Sequence, residues 1–214
     1  MRRRGAGLLL AAALGLLALG GCTQSSVMTR VGADELHGKP LLLLQPSLLA
    51  PTAEDLQTRV VQRIEAGLAA SPEFGPITRG TELAQRDLPL EVQDAYKVLS
   101  NTLSLTGVSD PELARRLADG LHAELLAVVQ PAFIPCAVCE SGDELWVVGQ
   151  VVDARTGRVV VRVHLTAPAP DSSLKALQAL ADSMSEDCLR ELEDAFHLRP
   201  HRQRFTALKR LATG

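Results

Sequence analysis

The chain has very few aromatic side chains. One Trp, one Tyr and four Phe make up 3% of its 214 residues. This excludes the stacked rings that hold single-stranded nucleic acid, and equally an aromatic-lined carbohydrate groove. Basic charge is also short: without Arg2, Arg3 and Arg4, 19 Lys and Arg stand against 25 Asp and Glu, a formal net of −6. A nucleic-acid partner calls for the opposite balance. Past residue 21 no apolar run approaches the ~20 residues of a spanning helix. Also missing are a His-Glu-x-x-His pair, a Gly-x-Ser-x-Gly elbow and a Gly-rich phosphate loop. The expectation is therefore a protein that is not an enzyme and carries neither cofactor nor metal, with a core built from Leu, Val and Ala.

What the sequence does have begins at its amino terminus. Arg2–Arg4 precede 17 residues, Gly5 to Gly21, that are almost wholly Leu, Ala and Gly. A basic segment, an apolar segment and small residues before a cut site are the marks of a secretory signal. An uncleaved membrane anchor is the alternative, although the run falls short of a spanning length. The signal ends in Leu19-Gly20-Gly21-Cys22, which resembles the lipobox of bacterial lipoproteins. The resemblance implies a diacylglyceryl group on the Cys22 thiol, cleavage before Cys22 and acylation of the new amino terminus. The covalent acyl groups, palmitate among them, would anchor the chain in the membrane. With Thr23 rather than Asp next, it further implies the outer membrane of a Gram-negative bacterium, at its periplasmic face.

Four segments follow: a signal peptide over 1–21, a flexible tether over 22–39, a single domain over 40–198 and a basic tail over 199–214. The tether would span roughly 60 Å fully extended, or about 25 Å as a coil. In the domain, Leu41–Gln45 reads as a buried strand between Pro40 and Pro46. Leu56, Val60, Ile64 and Leu68 recur every four residues as one helical stripe. Phe74–Thr78 reads as a second strand, and 81–106 as irregular helix broken at Pro89. Ser109-Asp110-Pro111-Glu112 opens another helix with a cap residue and a Pro in the first turn. Leu125–Gln130, Leu145–Val152 and Val159–Thr166 complete five strands, the last two joined by an Asp153–Arg158 turn. Val159, Val161, Val163 and Leu165 alternate with a mixed face, as in a sheet with helices on one side. A long helix from Ser172 or Ser173 to about His197 follows. In the tail, Phe205, Leu208 and Leu211 stand at helical spacing. The fold class is α/β (α+β), a mixed five-stranded sheet with amphipathic helices and a long C-terminal helix.

With Cys22 acylated, Cys136, Cys139 and Cys188 remain, an odd number. Cys136-Ala137-Val138-Cys139 lies between strands rather than at a helix start. A loop-stapling disulfide is the leading reading, with free thiols, redox work and metal binding as alternatives. Cys188 falls on the apolar face of the last helix and reads as a core thiol, with pairing to Cys136 or Cys139 as the alternative. His37, His122, His164, His197 and His201 are scattered and read as structural. Glu186, Asp187, Glu191, Glu193 and Asp194 read mostly as a solvated helix face.

Several of these segments, in order, resemble the α/β domain shared by the TolB amino-terminal domain, the curli-secretion-channel lipoproteins and the penicillin-binding-protein activator lipoproteins. They are Leu41-Leu42-Leu43-Leu44-Gln45-Pro46, Phe74–Arg79, Leu113–Gln130 and the turn with Asp153, Thr156 and Gly157. The resemblance covers roughly residues 40–166. It implies a non-enzymatic lipoprotein that binds or assembles proteins in the periplasm. The alternatives are a subunit of a secretion or envelope-spanning complex, in which a homo-oligomer is a candidate, and a thiol-redox or metal-handling lipoprotein using Cys136 and Cys139. One consequence is direct. Cys22→Ala is expected to abolish acylation, read as loss of the lipid mass, and to release the chain from membranes.

Overall fold

The structure, a computed structural model, describes residues 22–30, 36–45, 51–83, 86–135, 142–169, 173–197 and 203–209, with the side chains of 22–23, 51–54, 196–197 and 203–209 left aside. Residues 1–21, read as a signal peptide, and Cys136 and Cys139 lie outside the described residues. The elements are β1 (Cys22–Thr29), β2 (Leu41–Leu44), α1 (Pro51–Ala70), β3 (Ile77–Arg79), α2 (Gly80–Leu83), α3 (Leu90–Thr106), α4 (Pro111–Leu121), β4 (Leu125–Ile134), β5 (Glu144–Asp153), β6 (Arg158–Pro168), α5 (Leu174–His197) and β7 (Gln203–Lys209). They form one mixed α/β sheet of order β3-β2-β4-β5-β6-β1-β7. Pairing is parallel where α1 and the α2–α4 segment cross over, between β2 and β3 and between β2 and β4. It is antiparallel from β4 to β7.

The apolar spacing read from the sequence accounts for the helices. Leu56, Val60, Ile64 and Leu68 of α1 are buried, as are Leu177, Ala181, Met184, Cys188, Leu192 and Ala195 of α5. These two helices close one face of the sheet over Leu41, Leu43, Ala127, Val129, Val147, Val163 and Leu165. The close approach of α5 to β5 requires Gly149, where a Cβ would stand 3.1 Å from Cys188 Sγ. Outside the core, Arg59 and Arg63 of α1 clamp Asp182 of α5. Arg59 is bidentate at 2.6 Å to both oxygens and Arg63 Nε lies at 2.7 Å. The hydrogen bond from Arg59 holds the Asp182 carboxyl below its ordinary range, against the opposing effect of burial.

The second face carries a smaller core. Leu42, Leu44, Leu126, Val128 and Val152 meet Val92, Ala95, Leu99 and Leu103 of α3 and Ala114, Leu117 and Leu121 of α4. Buried on both faces, β2 is Leu throughout. Helices thus lie on both faces, not on one as the alternation in β6 suggested. The crossover between β3 and β4 supplies the second layer, through α3 and α4. A bulge between Val151 and Val152 shifts the register, so Val160 joins the first core while Val159 packs against the second.

Further expectations are corrected. The sheet has seven strands rather than five. Residues 22–29, read as the start of a tether, are a strand because their alternation is hidden by polar letters. Ser25, Val27 and Thr29 are buried, while Gln24 is exposed and Ser26 and Met28 are half-buried. The buried Ser25 hydroxyl donates to Glu191 Oε1 at 3.1 Å. That contact also removes Glu191, 2% exposed, from the solvated face assigned to it. Residues 203–209 of the basic tail, read at helical spacing, pair with β1 instead. An edge strand rich in basic residues resists further pairing. The strand read over Phe74–Thr78 begins at Ile77, after Gly75 has packed against Gly38 and Lys39.

The β5–β6 turn is locked by its own residues and by α4. Asp153 Oδ1 accepts from the Thr156 amide at 2.7 Å and from Thr156 Oγ1 at 2.8 Å. Gly157, at φ +66°, donates its amide to Asp153 O. A Cβ on Gly157 would lie 2.3 Å from Pro111 Cα, at the start of α4, whose first amides are capped by Asp110. Gly157→Ala adds the left-handed strain, about 1–2 kcal/mol, to that collision. The expected loss is about 2–4 kcal/mol, measurable as a lower urea midpoint at unchanged slope.

Candidate functional site

Helices α3 and α4 stop short of the β5-β6-β1 half of the second face. There no helix among the described residues covers the sheet, and its register lays out a site. Val148 pairs with His164 and His164 with Ser26; Gln150 pairs with Arg162 and Arg162 with Met28; Trp146 pairs with Thr166. Ser26, Met28, Trp146, Val148, Arg162 and His164 line a shallow depression of about 440 Å³.

Its aromatic edge is a pair of rings. Trp146 and His164 meet edge to face, 5.0 Å between centroids and 71° between planes. Trp146 is fixed in turn by its Nε1–H, which donates to Glu144 Oε2 at 2.8 Å. His164 Nε2 and Gln150 Oε1 are buried and lack a hydrogen-bond partner among the described residues. Arg162 reaches along the face to Gly107, the left-handed residue that ends α3. The carbonyls freed at a helix end suit such a cation.

The charge state of His164 follows from this packing. Burial, assisted by Arg162, pushes its pKa below the ordinary value, and Glu144 opposes the shift weakly. The imidazole is therefore neutral near pH 7. The sequence reading counted His164 among the scattered, structural His and attached no site to it. Trp146, two residues from the strand's start, gave the available signal as the lone Trp of a ring-poor chain.

The residues singled out from the sequence do not converge here. The backbone of Cys22 opens β1, opposite Lys209 of β7. Cys188 is a free thiol, fully buried, its pKa pushed up to about 12 chiefly by desolvation; it is the core residue its helical position implied. His37 is exposed beside Glu73 at 3.1 Å, and His122 terminates α4 at φ +54°. Among the described residues no three His, Cys, Asp or Glu side chains group as a metal site would require, and no helix is long and apolar enough to cross a membrane.

Two other depressions are more polar in use. Gly80, Leu83, Arg86, Leu88, Gln93, Tyr96 and Lys97 line about 410 Å³, where Tyr96 is half-buried and its hydroxyl accepts from the Gln45 amide at 2.8 Å. A third of about 550 Å³ lies among Lys39, Arg115, Asp119, His122, Glu124, Asp153 and Arg155. The first also joins a ring, Leu side chains and the cations Arg86 and Lys97, but at helix ends, and the third is bordered by charges of both signs; the β5-β6-β1 face lies on the sheet itself.

No protein-family model matches the chain, and no curated protein matches it. Solved structures of similar shape include a PelC dodecamer from Paraburkholderia phytofirmans, at 12% identity and TM-score 0.39, covering 84% of this chain and 99% of that one. The hypothetical protein CT253 from Chlamydia trachomatis aligns at 16% identity and TM-score 0.44, over 74% and 95%. Lipoprotein GNA1162 from Neisseria meningitidis aligns at 10% identity and TM-score 0.40, over 70% and 96%. Likeness at this level is slight and carries no function across.

Since the folded His164 pKa lies below its unfolded value, the stability this group contributes is present above about pH 6.5 and is lost as pH falls through the folded value. His164→Gln is expected to flatten the acid limb of urea stability measured from about pH 7 to about pH 5. An unchanged limb would show that His164 takes up its proton alike in the folded and unfolded chain.

Proposed function

We propose that this protein is a lipid-anchored, non-enzymatic lipoprotein of the bacterial envelope that binds or assembles other proteins through the bare β5-β6-β1 face. The observation that carries the binding role is the face itself. A half-buried Trp, a Met and a Val lie on a sheet that no helix among the described residues covers, flanked by a cation. Faces of this composition, apolar at the centre with Trp and Arg, resemble the core of a protein interface. The address rests on Leu19-Gly20-Gly21-Cys22 behind its basic and apolar segments. Assembly with further copies is supported by Val98 and Leu105, seven residues apart on α3 and 51% and 59% exposed, with Val108 at 63% just beyond the helix.

Photo-crosslinkers placed at Val148 and Met28 in growing cells are expected to capture a protein partner, while one at Arg63, on the α1–α5 surface, is not. Trp146→Ala should weaken that capture about tenfold or more, the effect of losing roughly 1.4 kcal/mol at a central anchor. Capture from Arg63 alone would overturn the assignment of the face.

A further inference from the structure

Among the described residues, nothing answers the charge of Arg162 on the β5-β6-β1 face. Its side chain is exposed, and the guanidinium forms no hydrogen bond or ion pair there. Its Nη2 lies against Gly107 instead, where an added Cβ would stand 2.0 Å away. The carboxylate of the same face is out of reach. Glu144 stands opposite Pro168, six residues from Arg162 and so about 20 Å along the strand. It is also engaged, accepting from Trp146 Nε1 at 2.8 Å. Between these rows lies His164, whose buried Nε2 lacks a partner among the described residues. Trp146, Val148 and Met28 flank Arg162 and His164 with ring and aliphatic surface. A partner that covered these apolar groups would also take Arg162 out of water. A guanidinium desolvated without a counter-charge is strongly unfavourable, and the His164 nitrogen would be sealed off unpaired as well. One kind of group answers both: a carboxylate, which accepts from Arg162 and from an Nε2–H of His164.

We propose that the partner docking on this face is a protein segment that sets an Asp or Glu side chain between Arg162 and His164, with its apolar neighbours on Trp146, Val148 and Met28. The proposal rests on the reading of this face as a protein-binding surface and adds what the partner must bring. His164 gives the contact a pH dependence. The charges acting on it are Arg162 on its own strand and Glu144 on β5, while burial keeps it neutral. Across the strands it meets Ser26 of β1 and Val148 of β5, neither of them titratable. A carboxylate brought against the ring favours the imidazolium. Docking therefore takes up a proton, and it strengthens as pH falls from the bound-state pKa towards the free-state one.

The full-length protein, immobilised in detergent, is panned against random peptides displayed inside a carrier protein, so that no free carboxyl terminus is offered. Peptides whose binding is lost in Trp146→Ala are those held at this face. Among them Asp and Glu are expected about threefold above their frequency in the library. The same panning on Arg162→Glu, a change at an exposed position checked by its urea midpoint, should select Lys and Arg instead. A selected peptide is then made with both ends capped. Replacing its Asp or Glu by Asn or Gln should weaken binding about tenfold or more, with the protein itself unaltered. Binding should also tighten about threefold or more from about pH 7.5 to about pH 6, a gain that vanishes in His164→Gln. Peptides that need Trp146 but show no acidic excess, or ignore the amide replacement, would overturn the proposal and leave the face a binding surface. Equal binding at both pH values would overturn the place given to His164. Finding no peptide that needs Trp146 would overturn the reading of the face, and this proposal with it.

Discussion

The sheet is wider than the helices available to cover both its faces. Seven strands span about 29 Å across six spacings, while two helices packed about 10 Å apart cover roughly 20 Å. On one face α1 and α5 suffice because α5 is 24 residues long and lies across β5, β6 and β1. On the other, α3 and α4 are 17 and 11 residues and are committed to β2, β4 and the end of β5. The parallel pairing fixes that commitment, since each crossover helix must lie beside the strands it joins. The bare half of the second face is thus a consequence of connectivity.

Surface left bare must still tolerate water, and its residues show how. Row by row, the bare face alternates ring or aliphatic groups with polar ones: Trp146 beside Thr166 and Gln24, Val148 beside His164 and Ser26, Gln150 beside Arg162 and Met28. Each apolar group has a polar neighbour across the strand, so the face is amphipathic rather than greasy. Such a mixture of apolar and polar groups matches the composition of ordinary protein interfaces. The opposite face shows the contrast, with Val147, Val151, Val161, Val163 and Leu165 all buried.

Legibility in the sequence followed the strength of apolar periodicity. The Leu41–Leu44 strand, the four-residue stripe of α1, the Asp110–Pro111 cap and the Asp153–Gly157 turn each carry one dominant physical signal, and each stands where it was read. The strands that escaped notice, β1 and β7, lack such a signal. In β1 the buried positions are Ser25 and Thr29 around a single Val27. Their burial depends on partners far along the chain: Glu191 lies 166 residues from Ser25. The same pairing misplaced Glu191 among the solvated acids of α5. A polar residue's burial is decided by whether a distant partner satisfies it, and no local window contains that partner. The bare face escaped for a similar reason, because such a surface is defined by which helices fail to reach it.

The strand at Cys22 alters what an acyl anchor would mean for this chain. A coil of eighteen residues would let a domain roam about 25 Å from its membrane in any orientation. A strand pinned between β6 and β7 permits one distance and nearly one tilt. The bare face, built from the same β1, β5 and β6, would then stand upright beside the bilayer with Trp146 near its foot. A partner reaching that face must approach along the membrane rather than from the far side of the periplasm. That confinement raises its effective concentration at the face for partners held in the same membrane. The order of the chain and the order of the face therefore coincide: the residue that would carry the lipid opens a strand that floors the bare face.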